Sequence, residues 1–218
     1  MTPSIDDSWI RIEAWLAEHA PATFAGLEPP AAPEAIAAAE AAIGLPFPDE
    51  LRRSLLRHDG TGYHQLLPLM WMPLGVDGIS GNWAVNMEVQ ADVWGPDTGE
   101  DDGDPEADTG PWWHRQWIPF AGNGCGDHLV LDQRPTSLRG RIGEAYHDGC
   151  GTFGREPMLA SLQALLAATA TALETGEVID GCRRTVTADG ELDWEIQRSA
   201  PASEPVARPL GRGRRSVN

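Results

Sequence analysis

The chain has 218 residues, of which 41% are hydrophobic, a size and composition typical of one globular domain with its own core. Its 33 acidic residues outnumber 16 basic ones, all arginine, and a net charge of −17 argues against binding to nucleic acid or to an anionic membrane surface. It has no apolar run of the roughly 20 residues that a membrane span needs, no basic signal peptide, and three cysteines that suit reduced thiols, so we expect a cytoplasmic protein.

Three helices are predicted in the N-terminal part of the chain. Apolar residues recur at steps of three and four over residues 5–16, with acids in the first turn, and Pro21 ends this helix. An alanine-rich second helix, over residues 33–44, starts with proline and ends with glycine. A third helix, over residues 48–60, starts with acids and ends at an Asp-Gly step.

The middle of the chain predicts one helix and four strands. Residues 80–93 carry apolar side chains at helical spacing, with Trp83 and Met87 on the inward face. Four short runs bounded by glycine, proline or Asn-Gly signals predict strands: 63–67, 117–120, 128–131 and 141–146.

An acidic segment lies between this helix and the later strands. Residues 97–108 carry seven acids and no base, with two glycines and one proline, which is typical of a solvated loop. Aligning Gly103 with the invariant glycine of an EF-hand puts Thr98 and Thr109 at ligand positions, so the pattern does not predict a calcium site. We assign residues 95–111 as an acidic insertion loop.

The C-terminal part predicts a helix, a hairpin and a tail. A stripe of leucines over residues 157–175 predicts the helix, which Gly176 closes. Residues 184–187 and 191–196 predict two strands joined by an Asp-Gly turn. Residues 200–218 are rich in proline and carry four arginines, which predicts a disordered tail.

This order of elements predicts an α+β fold over residues 1–199, because helices and strands are grouped rather than alternating as βαβ units. We expect a single central β-sheet of modest size. The N-terminal helices and the C-terminal helix should pack against one side of it.

The stretch AGNGCGDHLVLD, residues 121–132, is the strongest candidate for a catalytic loop. Cys125 could act as a nucleophile with His128 or His147 as its base, but Asn123 stands where a nucleophile elbow has its first glycine. A lone cysteine is more often a small buried residue, and glycines with Asn and Asp are typical of a tight turn before a strand. We interpret the loop as structural and predict no catalytic residue.

Metal and cofactor sites have no matching pattern. The run HDGC, residues 147–150, holds three possible zinc ligands, yet the chain lacks the C-x₂-C and H-E-x-x-H spacings of zinc sites. Without any lysine, the G-x-x-x-x-G-K-[ST] phosphate loop cannot occur, and no G-x-G-x-x-G follows a predicted strand. The sequence therefore predicts no metal and no cofactor.

Nine tryptophans are many for this length, and two adjacent ones follow the acidic segment. Neighbouring residues of an extended segment point in opposite directions, so one of the two can face solvent, although core packing is the alternative explanation for such residues. An exposed aromatic beside acids would anchor a basic protein that the acids attract. The candidate partner-binding residues are Asp101, Asp102, Asp104, Glu106, Trp112 and Trp113.

The ordered set of motifs resembles the SUKH superfamily, of the Smi/Knr type named for a fungal cell-wall assembly regulator. A tryptophan-rich first helix precedes the stretches EAIAAAEAAIG, LPFPDELRRSLLRHDG and WIPFAGNGCGDHLVLD, and the similarity runs from about Trp9 to Leu173. The family signature falls on residues for which we expect structural roles: Trp9, Trp15, Glu40, Gly44, Pro48, Gly60, Gly124, Gly126, Asp127 and Asp132.

The resemblance implies an α+β fold, and no catalytic residue of the family carries over. For bacterial members it implies an immunity protein that binds and neutralises a cognate toxin, often a nuclease, in the cytoplasm. For fungal members it implies a regulator of cell-wall synthesis that acts through protein contacts. We therefore hypothesise a non-enzymatic immunity protein that covers a basic toxin domain, with a regulatory adaptor for an endogenous protein and a Cys125-dependent enzyme as alternatives.

Overall fold

The computed structural model describes residues 2–95, 104, 106–154 and 156–197. The predictions made for Asp101, Asp102 and the tail from residue 200 onward lie outside the described residues, as does most of the acidic segment.

Six α-helices and six β-strands make up the described part of the chain, with a 3₁₀ turn at Pro157–Ala160. The helices are α1 (Ile5–His19), α2 (Pro21–Ala25), α3 (Pro33–Ile43), α4 (Asp49–Leu55), α5 (Val76–Val93) and α6 (Leu162–Thr175). The strands are β1 (Met72–Pro73), β2 (Trp117–Gly122), β3 (His128–Asp132), β4 (Ile142–Ala145), β5 (Cys182–Val186) and β6 (Leu192–Ile196). This grouping confirms the predicted α+β class. None of the described helices is both long enough and apolar enough to cross a membrane.

The N-terminal helices follow the local signals of the sequence. Ser4 caps α1 in a capping box with Asp7, and Gly44 ends α3 with a left-handed φ of 73°. Pro21 was expected only to end α1, but it also occupies the first turn of α2. That position suits proline because its fixed φ is helical and its missing N–H would have no partner there.

The main sheet is antiparallel and places its strands in chain order from β1 to β4. In β3, Leu129 and Leu131 face the core that the helices fill, while Val130 between them faces a second apolar cluster. The second cluster consists of Trp113, Trp117, Val130, Ala145 and Phe153. Helices therefore cover one face of the sheet, as expected, and an aromatic layer that the sequence did not predict covers the other.

The strand predicted at residues 63–67 is wrong. Leu67 makes only an isolated bridge to Trp71, and the sheet begins at β1. Between them Leu69 and Met70 adopt left-handed φ angles of 61° and 67°. The chain turns back on itself there, which moves strand pairing downstream.

The helix predicted over residues 157–175 is interrupted at Ser161. The backbone of Ser161 is extended, and its Oγ accepts a hydrogen bond of 3.1 Å from the N–H of Ala164. Ser161 therefore caps α6, and the residues before it form the separate 3₁₀ turn.

The β5–β6 hairpin pairs as predicted, with Gly190 at a φ of 80° in its turn. It forms a second, two-stranded sheet, so the expected single sheet describes only β1–β4. The N–H of Leu192 donates to Oγ1 of Thr23 at 2.8 Å, which fastens the hairpin to α2.

Candidate protein-binding surface

Two stacked tryptophans mark the ends of the acidic insertion. Trp94 follows the last residue of α5 and Trp112 lies just past the insertion; their rings stack with centroids 4.6 Å apart and planes 17° from parallel. Trp94 is 54% exposed and Trp112 is partly buried. The ends of the insertion therefore lie beside a stacked aromatic pair whose exposed ring is that of Trp94. The sequence indicated only Trp112 of this pair.

Trp113 points the other way. It is 2% exposed, and its ring meets those of Trp117 and His128 edge-on at centroid distances of 6.1 Å. The two neighbours thus face opposite sides, as an extended segment requires. Trp113 therefore lies beneath the surface, whereas Trp94 is exposed and Trp112 is partly exposed.

The described acids of the insertion are exposed and locally held. Oδ1 of Asp104 accepts from the N–H of Glu106 at 2.9 Å, and Oε1 of Glu106 accepts from Oγ of Ser137 at 2.8 Å. Further along, the N–H of Gly110 donates to the carbonyl of Gly151 at 2.8 Å. The returning limb of the insertion is therefore fixed to the domain while Asp104 and Glu106 face solvent.

A buried charge cluster lies under this limb. Asp132 is fully buried and accepts from Arg134 through Nε at 2.9 Å and Nη2 at 2.8 Å, and from Nε of Arg141 at 3.3 Å. Arg141 also donates to the carbonyl of Ala107 at 3.2 Å, and its guanidinium lies 3.9 Å from the ring centroid of Phe153. The cluster links the insertion to the aromatic layer, which gives the signature residue Asp132 a structural role.

The glycine-rich loop is a hydrogen-bonded turn. Oδ1 of Asn123 accepts from the N–H of Cys125 at 2.8 Å, and Nδ2 of Asn123 donates to Oδ2 of Asp127 at 2.8 Å. Gly124 and Gly126 have φ angles of 76° and 100°, which side-chain-bearing residues rarely adopt. Turn formation therefore accounts for the composition of this loop.

Asp127 joins this turn to the one that follows β4. Its Oδ1 accepts from both the N–H and the ring Nδ1 of His147, at 2.9 and 2.7 Å. Burial acts to raise the pKa of Asp127, but the hydrogen bonds from His147 and Asn123 outweigh it and lower the pKa. The bond to Asp127 raises the pKa of His147. The carbonyl of His147 in turn accepts from Nε1 of Trp112 at 3.0 Å, so the tryptophan pair is tied to both turns.

The histidines near Cys125 are engaged elsewhere. His128 is 6% exposed, and burial lowers its pKa. Cys125 is exposed, and within the described part of the chain its sulfur makes no hydrogen bond to either ring. The same part contains no group of three or more His, Cys, Asp or Glu residues placed to hold a metal.

The N-terminal signature residues also support the fold. Glu40 accepts from the N–H of Phe47 at 2.7 Å and from Nη1 of Arg52 at 2.6 Å, which holds the turn between α3 and α4. Trp9 and Trp15 are 1% and 6% exposed within the helical core. Each of them stabilises packing rather than presenting a side chain to a ligand.

The Asp59-Gly60 step fixes the start of α5. Oδ1 of Asp59 accepts from the N–H of Val76 at 2.7 Å. Gly60 has a φ of 90°, and a Cβ on it would lie 2.6 Å from the backbone nitrogen of Gly75. Only glycine fits this close crossing of two backbone segments.

Comparison with known proteins identifies the family of the chain. No curated protein matches the chain. A family model matches residues 30–167, a span that runs from before α3 into α6 and contains the whole four-stranded sheet and the insertion. The chain belongs to the SMI1/KNR4 family (SUKH-1).

Proposed function

We propose that this protein is a non-enzymatic immunity protein that binds a basic toxin domain in the cytoplasm and covers its active surface. Membership of the SMI1/KNR4 family supports a protein-interaction or immunity-type module. The observation that supports this proposal most directly is the Trp94–Trp112 stack at the ends of the acidic insertion, in which Trp94 is exposed and Trp112 is partly buried.

The aromatic pair has the properties of an interface anchor. Tryptophan is enriched among residues that dominate binding energy, because a large rigid ring loses little entropy when it is covered. Trp112 is already oriented by its bond to His147, and Trp94 by its stacking on Trp112. A preorganised pair binds more tightly than flexible side chains do.

The negative charge of the protein favours a basic partner. The net charge of −17 gives the protein a strong negative field, and Asp104 and Glu106 are exposed on the insertion. A toxin that cleaves nucleic acid must carry a basic surface to hold phosphate. Such a surface is complementary to this one and would be drawn to it from solution.

The proposal is tested by co-expressing this chain in cells with candidate toxin domains that cleave nucleic acid and scoring rescue of growth. The wild-type protein should restore growth, and Trp94→Ala combined with Trp112→Ala should abolish the rescue. Tyr63→Ala is the matched control, because Tyr63 is a 95% exposed aromatic outside this surface and its loss should leave rescue intact.

The same assay separates the alternative functions. A regulatory adaptor would rescue cells from no toxin, which would overturn the immunity role. For a Cys125-dependent enzyme, Cys125→Ser would abolish rescue while the double tryptophan variant retained it. That pattern would overturn binding as the mechanism.

A further inference from the structure

A surface groove runs between α6 and the segment that leads from it to β5. Two adjoining hollows of about 540 and 510 Å³ form the groove and share Ala168, Val178 and Ile179 among their lining residues. Met158 extends the apolar floor, and Val178 is 46% exposed. Open apolar surface of this kind is typical of a site that another segment covers.

The rim of the groove is acidic. Glu156, Glu177 and Asp180 line it, and none of its described lining residues is basic. Burial and the neighbouring Glu156 both raise the pKa of Asp180, as expected for two carboxyl groups that lie close together. The chemistry of the groove therefore suits an occupant that has apolar side chains and at least one cation.

The described chain reaches the edge of this groove at its last residue. The N–H of Gln197 donates to the carbonyl of Gly181 at 2.7 Å, and Gly181 directly follows Asp180. The next residue is Arg198, whose Cα lies about 3.8 Å from that of Gln197. A segment that continues from Gln197 therefore starts beside the acidic rim.

We propose that residues 198–210 of this same chain bind the groove, with Arg198 paired to Asp180 and Glu156. The segment reads RSAPASEPVARPL, and its three prolines favour an extended backbone that loses little entropy on binding. Val206 and Leu210 supply the apolar side chains for the floor. The bound segment covers the groove in the free protein, and this inference is independent of the proposed function.

The test is an NMR study of the full chain with methyl and backbone amide labels. If the segment is bound, the amides of Ala200, Val206 and Ala207 have order parameters above about 0.6. Nuclear Overhauser contacts should also join the methyls of Val206 and Leu210 to those of Val178 and Ile179. Both signatures should be the same at low and high protein concentration.

Charge variants show whether the acidic rim holds the segment. Arg198→Glu should lower these order parameters below about 0.6 and remove the methyl contacts. Asp180→Asn should weaken both signatures, because it removes the negative charge that pairs with Arg198. Asparagine tolerates the left-handed φ of 48° at that position, so the backbone there should be retained. Arg212→Glu, which lies beyond the segment, is the matched control and should change neither. In each variant, unchanged amide shifts in β5 and β6 establish that the hairpin is intact.

Three results would overturn the proposal. The first is a wild-type segment with order parameters below about 0.6. The second is methyl contacts to Trp94 and Trp112 in place of the groove. The third is ordering that grows with protein concentration, which would mean that the groove binds the segment of a second copy.

Discussion

Asp132 is held tightly in the fold, because its fully buried carboxylate lies against two guanidinium groups. Arg134 and Arg141 are themselves buried, and both stack on aromatic rings of the second cluster. Neither arginine can regain water without disturbing that layer. The acid therefore determines whether the aromatic side of the sheet is stable.

Replacement of Asp132 by Asn should destabilise the protein by about 3–5 kcal/mol, because it removes the buried carboxylate that pairs with the guanidinium groups of Arg134 and Arg141. The free energy of unfolding can be measured by urea titration with tryptophan fluorescence. Asp148→Asn, at an exposed carboxylate in the turn after β4, should stay within about 0.5 kcal/mol of the wild type. Equal stabilities of the two variants would contradict the role given to Asp132.

Two glycines, Gly44 and Gly60, have similar φ angles but differ in the space around them. Gly44 has a φ of 73° with open space around a would-be Cβ, whereas Gly60 has a φ of 90° and backbone atoms within 2.6 Å. Gly44→Ala should therefore lose about 1–2 kcal/mol of unfolding free energy from backbone strain alone. Gly60→Ala should lose clearly more, because the clash with Gly75 adds to that strain. A smaller loss at Gly60 than at Gly44 would show that this crossing can relax.

Single residues also show the limits of inference from sequence. Turn chemistry predicted the structural part played by Gly124, Gly126 and Asp127, because glycine and Asn/Asp preferences act locally. The stacking of Trp94 on Trp112 was not predictable, since the two residues are separated by the whole acidic insertion and meet only in the folded chain. The Asp127–His147 pair was missed for a related reason: its partners lie 20 residues apart and meet only once β3 and β4 pair.

Among the elements, the two turns joined by Asp127 and His147 form the link between the sheet and the tryptophan pair. Asp127 belongs to the β2–β3 turn, and His147 to the turn after β4. The carbonyl of His147 accepts a hydrogen bond from Trp112, so a movement of His147 should also change the position of the Trp112 ring.

This link should depend on pH in a defined window. The pKa of Asp127 is lowered from 3.8, so its contribution to stability is present above that value and is lost as the pH falls through the lowered pKa. The pKa of His147 is raised from 6.5, so its contribution is present below 6.5 and is lost as the pH rises through the raised pKa. The pair is therefore strongest between the two.

An NMR titration of the His147 ring checks this assignment. Its midpoint should lie above 6.5, and the indole N–H signal of Trp112 should shift with the same midpoint. Asp127→Asn should bring the midpoint back toward 6.5, because the carboxylate that favours the cation is gone. A midpoint that does not respond to this substitution would mean that another group sets the pKa of His147.

Elements were predictable where their signals are local. Helical spacing and caps indicated α1, α3, α4 and α5, and an Asp-Gly step indicated the β5–β6 hairpin. The failures at residues 63–67 and at Ser161 come from backbone changes of one or two residues, the left-handed Leu69 and Met70 and the extended Ser161, which an average over a periodic pattern does not detect. The aromatic layer behind the sheet could not be predicted, because it is assembled from segments far apart in sequence.

For the molecule as a whole, charge and aromatic contact should act on different steps of binding. Long-range attraction from a net charge of −17 operates before contact, so it governs how often a basic partner arrives. The tryptophan pair acts only after contact, so it governs how long the complex lasts. The two contributions can therefore be separated by kinetics.

We expect Asp104→Asn with Glu106→Gln to lower the association rate constant for a basic toxin domain and to leave the dissociation rate constant nearly unchanged, because both acids are exposed and act by steering. Raising the ionic strength should lower the association rate of the wild type by about tenfold or more.

Trp94→Ala should instead raise the dissociation rate constant by about 30-fold, equivalent to ~2 kcal/mol. Surface plasmon resonance measures both constants, with Glu34→Gln on α3 as a control for the loss of one exposed acid elsewhere. An association rate constant that does not change with ionic strength would mean that the acidic insertion does not attract the partner by its charge. That result would contradict the proposal that the protein covers a basic surface.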